Sequence, residues 1–309
     1  MVLDRPVLGI LLMLGFCVMA PMGDALAKLL GGQIDVAALV AIRMSVQVLL
    51  LLPVVWWLGL SLAPAFGRIR LITIRSVLHM GGIGMMFLSL RYLPLADAVA
   101  IAFVMPFIML LLGRFVLNEE VGSRRLLACC VGFIGTLLVM QPSFAEVGWP
   151  ALLPVGVAFD FAFFMLVTRQ LAKDVDAVVL QLISGVIACA LLVPLILVFA
   201  PFGTPGFRVT VPAPEAWWLV FAMGALGTGA HLLMTWSLRF APASTLAPMQ
   251  YLEIPVAALL GWLIFRDFPN GLALFGIGVT VAAGLYIIYR EQKLNRRSPQ
   301  SLPADIPVE

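Results

Sequence analysis

The sequence carries little charge. Only 11% of its 309 residues are Asp, Glu, Lys or Arg, and 62% are apolar, whereas a soluble domain has about 25% charged residues. Uncharged runs are correspondingly long, with 31 residues between Asp176 and Arg208 and 24 between Arg43 and Arg68. Because a helix needs roughly 20 apolar residues to cross a bilayer, this composition predicts an all-α integral membrane protein surrounded by lipid.

The sequence also lacks the motifs of several enzyme classes. It contains no G-x-x-x-x-G-K-[ST], no H-E-x-x-H and no G-x-S-x-G, so neither P-loop hydrolysis nor zincin or serine-hydrolase chemistry is indicated. Its four cysteines lie in apolar runs with no histidine nearby in sequence, which is typical of small buried side chains. We therefore expect no enzyme activity, no cofactor, no metal and no nucleic-acid partner.

An internal repeat is the strongest pattern that is present. The segment LRYLPLADAVAIAFVMPFIMLLLGRFVLNEE begins at Leu90, and LRFAPASTLAPMQYLEIPVAALLGWLIFRD begins at Leu238. Their arginines and first prolines match at an offset of 148 residues, with a slip of one residue further along. An offset near half of the chain length indicates a duplicated unit.

Apolar runs separated by loop residues predict ten membrane spans. Their approximate bounds are 7–29, 37–59, 71–91, 96–117, 124–141, 150–170, 177–199, 216–238, 244–265 and 271–290. The repeat offset covers five spans, and because five is odd, the two copies must cross the membrane in opposite senses. The prediction is a 5+5 inverted-topology repeat, with units at 7–141 and 150–290 and a flexible cytoplasmic tail at 291–309. Such repeats are common in secondary transporters, although some channels have them too.

Lys and Arg residues in the short loops orient the chain. With the N-terminus in the cytoplasm, fourteen of them, including Arg68, Arg70 and Arg75, lie at the inner side and four lie at the outer side, and Arg43 lies inside the second span. Cytoplasmic loops carry the excess of these residues. Both termini are therefore predicted to be cytoplasmic, in a multi-pass protein of the cell inner (plasma) membrane.

Small residues recur every four positions in the fifth and tenth spans. The positions are Ala128, Gly132 and Thr136 in one span and Gly276, Thr280 and Gly284 in the other. This spacing lets helix backbones approach each other closely in lipid. The pattern predicts helix packing, either within the chain or across a homodimer.

With these features the chain resembles the EamA family of the drug/metabolite transporter superfamily. The likeness covers residues 7–290 as two units and is carried by LRYLPLADAVAIAFVMP, LNEEVGSRRLLACCVGFIGTLLV, SLRFAPASTLAPMQYLEIPVAALLGWLIFRD and GIGVTVAAGLYII. The resemblance implies alternating access around a central cavity lined mainly by the first, third, fourth, sixth, eighth and ninth helices. One departure is that Pro248 and Pro255 both lie in the ninth span, whereas the fourth has only Pro106.

Two carboxyl groups lie near the middle of predicted spans. Asp160 is in the sixth span, and Glu253 is in the ninth, beside Gln250 and Tyr251. Ionisable groups within a membrane are energetically costly and are therefore functional candidates. Each carboxyl could exchange a coupling proton or bind a cationic part of a substrate. The alternative is a neutral, hydrogen-bonded carboxyl that joins two helices.

Asp24 and Arg43 lie at similar depth toward the outer ends of the first and second spans. An ion pair that clamps the two helices is the simplest interpretation, and such a pair is weak evidence for anything more. A gate or a contact to a substrate anion is the alternative. Lys28, one turn beyond Asp24, would share that pair or extend to the membrane interface.

His79 and His231 lie on the third and eighth spans, each with glycines nearby. They are candidates for lining the cavity, and the alternative is a polar bridge between helices. Trp236 follows His231 by a little more than one turn. It would stack against a flat ligand or anchor the inner interface, where tryptophan is common.

The function predicted from these features is a secondary transporter for a small organic metabolite. Aromatic side chains on the spans expected to face the cavity, including Phe87, Phe103, Phe161 and Phe163, favour a planar ligand such as a vitamin or an aromatic amino acid. An ion gradient, exchange or the substrate's own gradient would drive transport. The alternative function is a non-transporting membrane regulator or assembly component built on a transporter fold.

Overall fold

The computed structural model describes residues 6–105, 107–108, 123–241 and 246–295. Within these ranges the chain is helical and contains no strand. The helices labelled in chain order are α1 (Pro6–Leu30), α2 (Val36–Trp57), α3 (Ile69–Ser89), α4 (Leu95–Ala102), α5 (Ser123–Val147), α6 (Leu153–Leu171), α7 (Ala177–Phe199), α8 (Trp217–Phe240), α9 (Glu253–Leu260) and α10 (Gly271–Asn295). A single helical turn, Ala63–Phe66, lies between α2 and α3.

Seven helices in the described ranges are long and apolar enough to cross a membrane. They are α1, α2, α3 and α5 to α8, and each corresponds to one of the spans predicted from sequence. Two further apolar stretches, Met249–Phe265 and Gly271–Tyr286, are shorter. The structure is therefore that of an all-helical, multi-pass membrane protein.

The fourth and ninth predicted spans differ from regular helices. Helix α4 ends after eight residues at Ala102, and the rest of the predicted span, including Pro106, falls largely outside the described residues. In the ninth span, a 3-10 helix at Ala247–Leu252 precedes α9, and a π-helical segment at Gly261–Phe265 follows it. Within the described residues, the ninth span thus changes helix type close to its cavity-lining residues Gln250 and Glu253.

Two helices extend beyond their predicted ends. Helix α5 continues six residues past position 141 to Val147. Helix α10 continues to Asn295, so the first five residues of the predicted flexible tail are helical. The remainder of the tail, 296–309, lies outside the described residues.

Neighbouring helices pack in pairs: α1 with α8, α3 with α6, α2 with α7 and α5 with α10. The predicted small-residue stripes account for the last pair. The Thr280 hydroxyl donates to the carbonyl oxygen of Gly276 at 2.9 Å and also lies 3.4 Å from that of Gly132 on α5. A Cβ on Gly135 would lie 2.8 Å from the Gly276 carbonyl oxygen. The stripes therefore pack against each other within the chain.

The outside of the bundle is apolar. Leu49, Leu52 and Leu197 expose more than half of their surface, as expected for side chains that face lipid tails. Trp56 and Trp57, at the end of α2, are 85% and 84% exposed. Tryptophans at this position suit the membrane–water interface.

Ion pairs tie the helix ends together. At the predicted outer side, Lys28 Nζ lies 3.1 Å from Asp267 Oδ2 and donates to the carbonyl oxygen of Leu93 at 3.0 Å. Arg91 lies 3.3 Å from Asp35 on the same side. Lys28 thus pairs with Asp267 in the α9–α10 loop, and not with Asp24 as one interpretation of the sequence proposed.

Candidate functional site

A cavity of about 130 Å³ lies at the centre of the bundle. Residues of α1, α2, α3, α4, α6 and α8 line it, together with residues of the segment that leads into α9. Apart from α2, these are the elements expected from the sequence. The end of α4 contributes Phe103, and the segment that leads into α9 contributes Gln250 and Glu253.

Seven of the nine site residues named from the sequence line this one cavity. They are Asp24, Arg43, His79, Asp160, His231, Gln250 and Glu253. They come from positions scattered between residues 24 and 253, and helix packing alone brings them together. The described part of the chain contains no cluster of three His, Cys, Asp or Glu side chains that could hold a metal ion.

Unpartnered polar atoms concentrate around the cavity. Eight buried side-chain nitrogen or oxygen atoms in the described residues have no hydrogen-bond partner, and six of them belong to Arg43, His79, His231 and Gln250. Each such atom costs about 1–3 kcal/mol relative to a hydrated or bonded one. Because buried polar groups are normally satisfied, this concentration indicates a place where a ligand or water supplies the missing partners.

The Asp160 carboxyl rests on a glycine of α3. A Cβ added to Gly82 would collide with the carboxyl group, and one added to Gly81 would lie 3.3 Å from Asp160 Oδ1. Two adjacent glycines therefore leave the space that the carboxyl occupies. Asp160 is partly buried and faces the cavity from α6.

The Arg43 guanidinium rests on a glycine of α8 in the same way. A Cβ on Gly227 would lie 2.8 Å from Arg43 Cζ, so only glycine leaves room for this placement. Asp24 is within electrostatic range, yet among the described residues no carboxylate lies within 4 Å of Arg43. The ion pair expected from the sequence is not formed at contact distance.

Five of the side chains that line the cavity are aromatic rings in contact with one another. His79 packs against His231 with ring centroids 4.3 Å apart and stacks on Phe164 at 4.9 Å. Phe161 stacks on Phe164 at 5.7 Å and on Phe16 at 6.3 Å. Of these rings, Phe16 and Phe164 were not singled out from the sequence. We refer to these five side chains as the five-ring wall.

The other residues named from the sequence lie elsewhere. Trp236 packs against a separate apolar cluster that includes Leu51 and Ile72. Tyr251 is buried under Gly284 of α10 and contacts Phe103 with ring centroids 5.2 Å apart. Tyr251 thus supports a lining residue without facing the cavity, and Phe163 points outward with 44% of its surface exposed.

Arg75 is a buried cation that sequence reasoning had assigned to the inner membrane surface. It donates to Thr168, Ser184 and Gln181 at 2.9, 2.7 and 3.0 Å. Its guanidinium also lies over the Phe164 ring, 4.6 Å from the centroid. Positions 75, 79 and 82 fall on one face of α3, and this spacing was the available signal that Arg75 faces the bundle interior.

The fold and the cavity together define a polytopic membrane protein with a polar site enclosed at its centre. The EamA-like transporter family model matches residues 7–141 and again residues 148–290. The chain therefore belongs to the EamA-like transporter family. It is therefore a transporter and not an enzyme.

Curated relatives agree with this assignment. The chain is 25% identical to an S-adenosylmethionine uptake transporter of Rickettsia felis, over 90% of this chain and 91% of the relative. It is 30% identical to a riboflavin transporter of Rhizobium johnstonii, over 72% of this chain and 71% of the relative. It is also similar in fold to a solved crystal structure, with a TM-score of 0.66, 17% identity and coverage of 93% of this chain and 98% of that chain.

Proposed function

We propose that this protein moves a small organic metabolite across the cell inner membrane by alternating access, with the substrate held in the central cavity. The observation that carries the proposal is the gathering of six unpartnered buried polar atoms around that cavity. A substrate that supplies hydrogen-bonding groups would satisfy them. Drug-sized ligands occupy clefts of about 300–1,000 Å³, so a cavity of about 130 Å³ must widen when such a substrate enters.

The helix pairing supports two five-helix units related by inverted topology. If the first five helices correspond in order to the last five, the α1–α8 contact corresponds to the α3–α6 contact, and both pairs are closely packed. The α2–α7 and α5–α10 pairs correspond to themselves, as a twofold relation requires. The double match of the family model agrees with this division. Two such units would exchange conformations to open the cavity to either side.

Loop charges support the proposed orientation, with both termini in the cytoplasm. Arg75 is buried and does not mark an interface. Without it, thirteen Lys and Arg residues remain at the inner side against four at the outer side. This asymmetry follows the positive-inside rule.

Within the cavity we assign substrate binding or coupling to Asp160 and Glu253, with Gln250, His79 and His231 as hydrogen-bonding partners. Protonation of either carboxyl would couple transport to a proton gradient. Tyr251 would support this site from behind. Riboflavin and S-adenosylmethionine both contain a fused nitrogen heteroaromatic ring, and the five-ring wall suits a planar group of this kind.

The test is uptake of radiolabelled S-adenosylmethionine and riboflavin into liposomes that contain the purified protein. We expect saturable uptake of at least one solute, and at least tenfold slower uptake for Glu253→Gln and Asp160→Asn. Asp174→Asn is the matched control, because Asp174 pairs with Arg68 at the surface, away from the cavity. Unchanged transport in both cavity variants would overturn the site assignment, and the lack of any flux would contradict transport of these solutes.

The family and its named relatives favour transport over the alternative of a non-transporting regulator. A homodimer would use a surface other than the paired stripes of α5 and α10. Those stripes are occupied within the chain, where Thr136 and Thr280 are fully buried.

A further inference from the structure

The charged groups of the cavity are arranged in an unusual way. Arg43 is only 7% exposed, its Nη1 has no hydrogen-bond partner, and Gly227 holds its guanidinium against α8. A buried guanidinium is costly to desolvate unless an anion pairs with it. The protein nevertheless places no carboxylate within 4 Å of it among the described residues.

Carboxyl groups are present in the same cavity but stand apart from Arg43. Asp24 lies within electrostatic range of Arg43 and also of Glu253, and both acids line the cavity. Opposite charges therefore face one enclosed space without neutralising each other at contact distance. The two acids would also repel each other if both were ionised.

A ligand with a single charge would pair either with Arg43 or with the two carboxyl groups, and not with both. A simple cation would pair with the acids and leave Arg43 without an anion, and a simple anion would do the reverse. A neutral ligand would match neither. A dipolar ligand with an anion and a cation on neighbouring atoms matches both, since guanidinium groups bind carboxylates bidentately.

We infer that the transported substrate carries a zwitterionic head of the α-amino-acid type. Its carboxylate binds Arg43, its ammonium lies between Asp24 and Glu253, and its planar part packs against the five-ring wall. This inference rests on the proposed function and narrows it to one substrate class. Arg43 and Asp24 then act as specificity-determining residues.

The experiment measures binding of matched indole compounds to the purified full-length protein by thermal shift and calorimetry. L-Tryptophan carries both charges, tryptamine lacks the carboxylate, and indole-3-propionate lacks the ammonium. S-Adenosylmethionine, with the same head, and riboflavin, without it, complete the set. We expect at least one zwitterion to bind, and L-tryptophan to bind at least tenfold more tightly than either of its single-charge analogues.

Single substitutions test which residue of the protein binds each charged group of the ligand. Arg43→Gln should weaken L-tryptophan to the level of tryptamine and leave tryptamine unchanged, because the contact it removes is absent from tryptamine. Asp24→Asn should weaken L-tryptophan and tryptamine and leave indole-3-propionate unchanged. Retained binding of the unaffected analogue shows that each variant is folded, and Arg68→Gln, at the surface, should change none of these affinities.

Three results would overturn the inference. They are tryptamine or indole-3-propionate binding as tightly as L-tryptophan, Arg43→Gln weakening all indole compounds equally, and no binding by either zwitterion. If riboflavin is transported while no zwitterion binds, the proposed function stands and the substrate class is wrong. If none of these solutes is transported or bound, the proposed function fails together with this inference.

Discussion

Arg43 and Arg75 lie in neighbouring helices of the same bundle, and both guanidinium groups are shielded from solvent. Arg75 is 0% exposed and donates three hydrogen bonds to oxygens of α6 and α7. Arg43 is 7% exposed and has no hydrogen bond among the described residues. At comparable burial, the guanidinium is therefore hydrogen-bonded to neighbouring helices at position 75 and is not hydrogen-bonded to them at position 43.

The difference separates a structural cation from one that is available to a ligand. The partners of Arg75 are neutral, so its hydrogen bonds are satisfied while its charge is not paired. Its contact with Phe164 also holds one ring of the five-ring wall in place, although Arg75 itself does not line the cavity. Arg43 instead meets the cavity directly, and we expect the two arginines to respond differently to substitution.

Arg75→Ala should have the largest effect on stability. It removes three interhelical hydrogen bonds, each worth roughly 0.6–1.7 kcal/mol in a membrane protein, and leaves Gln181 and Ser184 buried without their donor. We expect the free energy of unfolding in detergent to fall by about 2–5 kcal/mol. Denaturant unfolding followed by circular dichroism measures this change.

Arg75→Lys is the matched control for charge. Lysine keeps the cation but replaces the wide planar guanidinium with a compact ammonium. Its N–H groups therefore do not reproduce all three hydrogen bonds, and an intermediate loss of stability is expected. If Arg75→Ala unfolds at the same denaturant concentration as the unmodified protein, the structural role of Arg75 is wrong.

The contrast between the two arginines also shows what the sequence could predict. Arg43 stands alone in an apolar run and was identified as an intramembrane charge, as were Asp160 and Glu253. Arg75 follows Arg68 and Arg70 closely, so it was grouped with the loop residues that mark the inner surface. Its burial depends on Thr168, Gln181 and Ser184, whose positions in space follow from helix packing and not from nearby sequence.

Prediction was most successful for long regular helices and least for irregular ones. Seven long spans follow from apolar runs of sufficient length. In the ninth span, Pro248 and Pro255 marked a departure from the fourth, but they did not predict the type of helix on either side of Leu252. The ion-pair partner of Lys28 was likewise not predicted from nearby sequence. The proximity of Lys28 in sequence to Asp24 favoured a shared ion pair, but Asp267 reaches it from a loop 239 residues away.

Gly227→Ala tests whether the position of the Arg43 guanidinium matters for transport, because it displaces this group without removing it. A Cβ at this position would lie 2.8 Å from Arg43 Cζ, so the guanidinium must move out of its present place. The far end of a flexible side chain takes up this shift, and the free energy of unfolding should change by less than about 1 kcal/mol. Transport should slow about tenfold, which corresponds to roughly 1.4 kcal/mol of lost substrate or transition-state binding; initial uptake rates in liposomes measure it.

Gly84→Ala is the control for this substitution. Gly84 lies in helix α3, and a Cβ added there would meet no atom within 4 Å. Its transport rate should stay within a factor of two of the unmodified protein. Equal loss in both variants would mean that glycine content, and not the position of Arg43, sets the rate.

Arg68→Gln tests a third arginine and should have the smallest effect. Arg68 lies 2.7 Å from Asp174, and both side chains are about half exposed, at 52% and 46%. An exposed ion pair contributes only about 0.2–1 kcal/mol, and added salt screens it further. We expect a loss of stability within that range that shrinks in high salt, measured by denaturant unfolding at low and high ionic strength, with no change in uptake. A loss of stability as large as that of Arg75→Ala would show that burial and hydrogen bonding do not determine how much each arginine contributes to stability.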